Sequence, residues 1–114
     1  MSEDTRWPAD IEAAVTVTDA AGTITAMNAA ACRAFASDGG SALVGRNVFD
    51  CHPEPALTKT RELYAAGQAN HYTISKGGRR KIIHQLPRLR DGVFAGFVEI
   101  SIVIPDELPH FDRG

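Results

Sequence analysis

Apolar and polar positions alternate most regularly near the end of the chain, where Val93 to Ile104 (VFAGFVEISIVI) is fenced by Asp91-Gly92 and Pro105. Phe94, Gly96, Val98, Ile100, Ile102 and Ile104 share one parity and are wholly apolar, while Val93, Ala95, Phe97, Glu99, Ser101 and Val103 form a mixed set. A period of two predicts a strand, and at about 3.3 Å per residue such a strand crosses a small domain. The pattern predicts a central strand whose apolar parity turns toward a covering layer of helices.

The same reading supplies its neighbours. Trp7 to Ala14 is expected as a short N-terminal helix or arm, with Pro8 at a permitted first-turn position. Val15–Thr18 and Thr23–Met27 alternate around the turn Asp19-Ala20-Ala21-Gly22 and predict a hairpin. Asn28 precedes the helix-forming run Ala29–Ala36 and is a natural N-cap, because its side-chain oxygen can accept from a first-turn N–H. Ser37–Ser41 reads as a loop, and Gly45–Pro55 as a folded connector, since its glycine and two prolines prevent a long regular element. Ala56–Ala66 predicts a helix stopped by Gly67. Asn70–Ser75 and Arg79–Leu89 predict strands joined by Lys76-Gly77-Gly78, and Asp91-Gly92 returns the chain into Val93. Strands interrupted by one helical block indicate an α+β domain with short helices over one face of a five-stranded antiparallel sheet. If the first strand lies beside the last, the order in space is 2-1-5-4-3. The expected division is an arm over residues 1–13, a domain over 14–104 and a proline-containing tail over 105–114.

Composition narrows the function classes. The chain has 114 residues, 44% of them apolar, enough for one core without staples. A net charge of -2 offers no broad electrostatic footprint for nucleic acid. No apolar run reaches the length of a membrane span. Two separated cysteines and a polar start predict a cytoplasmic protein. The four histidines, His52, His71, His84 and His110, have no recognised ligand spacing, so no metal site is predicted.

In order and spacing, several features resemble the PAS domains. They are Asp19-x-x-Gly22 between two strands, Asn28 opening a helix, Gly45-Arg46-Asn47-Val48-Phe49 before another helix, and Asp91-Gly92 leading into a long last strand. The run Asp50-Cys51-His52-Pro53-Glu54-Pro55, together with the ending Pro105-x-x-x-Pro109-His110-Phe111, resembles a group of short bacterial PAS-like proteins. The resemblance implies a cupped sheet holding a small cavity, signal transduction as a sensor, and self-association through the outer sheet face. It also marks two departures. Val48 stands where adduct-forming flavin sensors carry a reactive cysteine, and Ala56–Ala66 lacks the histidine that haem-binding members place on that helix. An adduct-forming flavin and haem are therefore disfavoured, and the cofactor is unassigned.

The candidate ligand-contacting residues are Cys51, His52, Tyr64, Tyr72, His84 and Gln85, with Asp19, Gly22, Asn28 and Gly45 in structural roles. Neighbours on an extended segment point to opposite sides. One of Cys51 and His52 should therefore face the cavity, and only one of His84 and Gln85 can. The expected function is small-molecule sensing or protein interaction without catalysis, acting as a homodimer through the outer face and the N-terminal arm. Output would pass to a separate signalling protein. The alternatives are a small enzyme using His52 and Cys51, and a scaffold whose cavity is filled by Phe35, Phe49 and Tyr64.

Overall fold

The computed structural model describes residues 6–114; of the expected arm, residues 1–5 lie outside the described residues. The strands are β1 (Ala14–Thr18), β2 (Ile24–Met27), β3 (Asn70–Lys76), β4 (Arg79–Arg90) and β5 (Val93–Val103). The helices are α1 (Trp7–Asp10), α2 (Ala29–Ala34) and α3 (Ala56–Ala66). All five strands form one antiparallel sheet in the order β2-β1-β5-β4-β3, so β5 is central and β3 is an edge. Both long hairpins turn on two left-handed residues, Gly77-Gly78 and Asp91-Gly92, as the natural twist of paired strands favours.

Asn28 joins three segments. Its Oδ1 accepts from Ala31 N, capping α2, and from Val15 N, each at 2.9 Å, while its Nδ2 donates to the carbonyls of Pro8 (2.7 Å) and Ala13 (2.8 Å). The residue is buried, with every hydrogen-bonding site of its amide in use. α2 is shorter than its helix-forming composition suggests. It ends at Ala34, and the stretch expected as a loop winds into two 3-10 turns, Ala36–Asp38 and Gly40–Leu43.

The turn after β1 and the connector after α2 are stitched together. Asp19 Oδ1 accepts from Ala21 N and Thr23 N, closing the turn. Val48 N donates to Gly22 O, Gly45 N to Ile24 O, and Asn47 Nδ2 to Ala21 O. Gly22 is left-handed, and a Cβ there would meet the Phe49 ring at 3.0 Å. The Asp-x-x-Gly and Gly-Arg-Asn-Val-Phe segments therefore lock one another in place.

The expectation for β5 fails in one respect. Its mixed parity faces the helical side, where Phe97 is buried, while Ile102 on the apolar parity is 43% exposed on the opposite face. The cause is a break in the pleat. The β4–β5 register shifts between Pro87 and Leu89, and Gly96 sits at φ 116°. Phe94 and Phe97, three apart in sequence, both reach the Tyr64 ring as a result. Arg88 bridges the irregularity, donating to Thr18 O and Ala95 O. β1 lies so close that a Cβ on Gly96 would overlap Thr18 O and stand 2.6 Å from the Asp19 carbonyl carbon, an approach that glycine alone permits.

Candidate functional site

The concave face of the sheet, the connector and α3 enclose an open cavity of about 1180 Å³. Its floor is laid out in rows by strand register. Asn70 on β3, Gln85 on β4, Glu99 on β5 and Thr16 on β1 stand side by side, forming a polar row across the sheet. On one side of it lie Tyr72, Ile83, Ser101 and Ala14, and on the other Pro87, Phe97 and Thr18. The connector contributes Val48, Cys51 and His52 to the wall, and α3 contributes Lys59, Leu63 and Tyr64.

Glu99 dominates the electrostatics of this space. Burial pushes its carboxyl above the usual carboxylate range, against the opposing pull of His52 and of a hydrogen bond from Gln85. Asn70 Nδ2 donates to Gln85 Oε1 at 2.8 Å, which leaves the Gln85 amide NH2 directed at Glu99. The polar row is thus a chain of donors ending on one carboxyl. Tyr72 is raised by its own burial and then by the charge of Glu99. Tyr64 is raised first by burial, with Glu99 and Asp19 adding to the effect and a hydrogen bond to Thr18 opposing it.

Tyr64 is the rigid element of the wall. Its hydroxyl lies 2.6 Å from Thr18 Oγ1, and its ring meets Phe49, Phe94 and Phe97 edge-on. α3 begins where Glu54 accepts from Thr58 N and Oγ1, and these hydrogen bonds hold its carboxyl below the ordinary range. The helix ends at left-handed Gly67, whose N–H donates to Leu63 O.

Of the candidate residues, Cys51, His52, Tyr64, Tyr72 and Gln85 all line the cavity. His84 does not: it stands on the outer face, paired with His71, so the choice between His84 and Gln85 falls to Gln85. Nor do Cys51 and His52 take opposite sides, because the turn Asn47–Cys51 replaces the extended segment on which that expectation rested. His52 Nδ1 bonds the Val48 carbonyl, which leaves Nε2 as its free nitrogen. No hydrogen bond joins Cys51 to His52 among the described residues. Phe35 and Tyr64 line the cavity without filling it, and Phe49 packs edge-on against the Tyr64 ring outside the lining. α3 presents no imidazole to the cavity, and the imidazole that does line it is His52, from the connector.

Glu99 itself is the residue that sequence reasoning overlooked. Assigning the apolar parity of β5 to the inside put Glu99 on the outside. The available signal was that Glu99 is the sole charge between Val93 and Ile104, an expensive residue for a central strand unless it serves a polar cavity.

Sheet order, the helical block and the cavity between them define the PAS fold. Known structures agree. A C-terminal domain from Streptococcus mutans is similar at TM-score 0.68 and 20% identity, covering 83% of this chain and 78% of that one. The Aer2 receptor from Vibrio cholerae, described as a dual PAS-heme oxygen sensor, is similar at 0.60 and 18%, covering 82% and 95%. The PAS domain of Bordetella pertussis BvgS gives 0.64 and 14%, covering 88% and 82%. Neither a family model nor a curated protein matches the chain. No helix among the described residues is long and apolar enough to cross a membrane.

Proposed function

We propose that this chain is a sensory module whose cavity holds a small organic molecule, and that the occupied state is passed on by contact with another protein. The observation that carries the proposal is the polar row on the cavity floor. A sheet that merely supported a core would fill its central inward positions with apolar side chains. Here Glu99, Gln85, Asn70 and Thr16 leave a carboxyl among hydrogen-bonding groups inside about 1180 Å³, the composition of a selective ligand site. The ligand would offer a hydrogen-bond donor, such as an amine or hydroxyl, to Glu99 and an apolar portion to Phe97, Leu63 and Tyr72. The sensory domains among the similar structures support the same reading.

The outer face supports a second element of the proposal, the pairing of two copies. Leu86 and Ile102 are exposed there, and Trp7 of α1 is exposed as well, an apolar set suited to an interface. The compartment we propose is the cytoplasm, where the free thiols of Cys32 and Cys51 persist.

Native mass spectrometry of freshly purified protein, before and after denaturation, tests both elements. A copurifying molecule that is released on denaturation and reduced in Glu99→Gln supports the sensor. Masses that match the bare polypeptide for both proteins, with no change in stability across an amine and alcohol library, overturn it. A monomer at micromolar concentration overturns the pairing.

A further inference from the structure

Strand pairing on the outer face brings together two side chains that are thirteen positions apart in sequence. His71 on β3 and His84 on β4 are directly opposed partners. Their Nδ1 atoms are 2.8 Å apart, and the rings meet edge-on with centroids 5.0 Å apart. His71 is exposed and His84 partly so, on the side of the sheet away from the cavity. A hydrogen bond between two imidazole nitrogens requires one to carry hydrogen and the other to present a lone pair. The shared proton sits where a Lewis acid could replace it.

We propose that His71 and His84 form a two-imidazole chelate for a divalent first-row transition ion. The bite is the main argument. With metal–nitrogen bonds of about 2.0–2.1 Å, a right-angled pair of ligands spans about 2.9 Å and a tetrahedral pair about 3.3 Å. The observed 2.8 Å therefore needs to open by only a few tenths of an ångström. Both strands fix the backbone beneath the rings, so little reorganisation opposes capture. Imidazole selects zinc, copper or nickel over calcium and magnesium, which prefer oxygen. No group of three or more His, Cys, Asp or Glu gathers among the described residues, so the remaining coordination positions are left to water or to a side chain from another molecule. Flanking side chains on this face are Thr73, Ile82 and Ile100, which bring no positive charge against the ion. Binding would clip the edge strand β3 to its neighbour.

Isothermal titration of the Cys51→Ser chain with nickel chloride tests the site, with the exposed thiol removed from competition. One saturable equivalent is expected. His71→Ala and His84→Ala should each weaken it roughly tenfold or more, as the loss of half of a chelate requires. His52→Ala and His110→Ala should leave it unchanged. A zinc titration followed by NMR gives a second readout, in which the imidazole resonances of His71 and His84 move together. Circular dichroism checks that each variant is folded, and His84→Asn replaces any alanine variant that is not. Absence of saturable binding below about 1 mM, a weakness inconsistent with two coordinating imidazoles, overturns the proposal. So does binding by folded His71 and His84 variants as tight as that of the parent chain, or loss of binding only in the His52 or His110 variant.

Discussion

Replacing Asn28 by aspartate changes one atom type at a site where four hydrogen bonds converge. The retained oxygen still accepts from Val15 N and Ala31 N, so the helix cap survives. The other oxygen replaces the NH2 group that donates to the carbonyls of Pro8 and Ala13 at 2.7 and 2.8 Å. A fully buried acceptor that loses its donor costs about 1–3 kcal/mol, and because these two are part-buried the pair should cost roughly 2–4 kcal/mol. The total stability of such a domain is on the order of 5–15 kcal/mol. The helix N-terminus favours a carboxylate by only about 0.3–1 kcal/mol, so the loss should win. Detachment of α1 can relieve Pro8, but Ala13 adjoins β1 and cannot move away without breaking the sheet.

Protonation distinguishes this account from a general loss of packing. Burial and the two carbonyls facing the introduced carboxylate push its folded pKa up, against the pull of the Val15 and Ala31 N–H groups and the helix terminus. The expected net shift is upward from the unfolded value of about 3.9. The deficit of Asn28→Asp is therefore fully present above the folded pKa and shrinks as pH falls through it, because the protonated carboxyl regains one donor. Asn28→Ala loses the cap as well as both carbonyl partners, but introduces no titrating group. Its deficit relative to wild type should be flat over the same range. Urea unfolding monitored by circular dichroism at neutral and mildly acidic pH measures both variants. An Asn28→Asp deficit below about 1 kcal/mol at neutral pH, or one that does not shrink on acidification, would refute the reasoning.

The remaining predictions concern the sheet and the cavity. Gly96→Ala should cost about 3 kcal/mol or more, since its Cβ would overlap Thr18 O on a left-handed backbone; a thermal midpoint close to wild type would contradict the close approach. Glu99→Gln should raise stability at neutral pH. The raised carboxyl contributes stability that is full below its unfolded pKa and is lost as pH rises through its folded one. The variant's pH–stability curve should therefore be flatter than wild type, and destabilisation at neutral pH would instead mean that His52 and Gln85 outweigh burial. Tyr64→Phe should cost about 0.5–1.5 kcal/mol through the lost bond to Thr18, measurable by denaturant unfolding, and no loss would mean that water replaces the hydroxyl.

Local signals predicted local structure well. Asn28 before an alanine-rich run, Gly67 after a helical one and Asp91-Gly92 between alternating stretches each act within a few residues, and each appears where its chemistry requires. Sheet order was also accessible, because a long apolar strand is best accommodated in the middle of a sheet, where both of its edges are paired. The inward face of β5 was not. Parity counting assumes an unbroken pleat, and the irregularity around Gly96 and Pro87 depends on the approach of Thr18 from a strand nearly eighty positions away. Apolar content misled for a second reason. A domain that encloses a polar cavity reverses the usual preference, placing Glu99 and Ser101 inside and leaving Ile102 outside. The His71–His84 contact was hidden by the same kind of distance, since only strand register brings the two together.

Thr18 carries a consequence beyond packing. Its hydroxyl contacts Tyr64 on the helix and accepts from Phe97 N on the central strand, while its carbonyl receives Arg88 from the neighbouring one. A single residue at the end of β1 is thus a junction where lid, floor and rim are fastened together. The Tyr64–Thr18 bond ties α3 directly to the strand that pairs with β2, at the sheet's far margin. Cavity wall and sheet margin are therefore joined covalently through one short strand and non-covalently through one hydroxyl and one carbonyl.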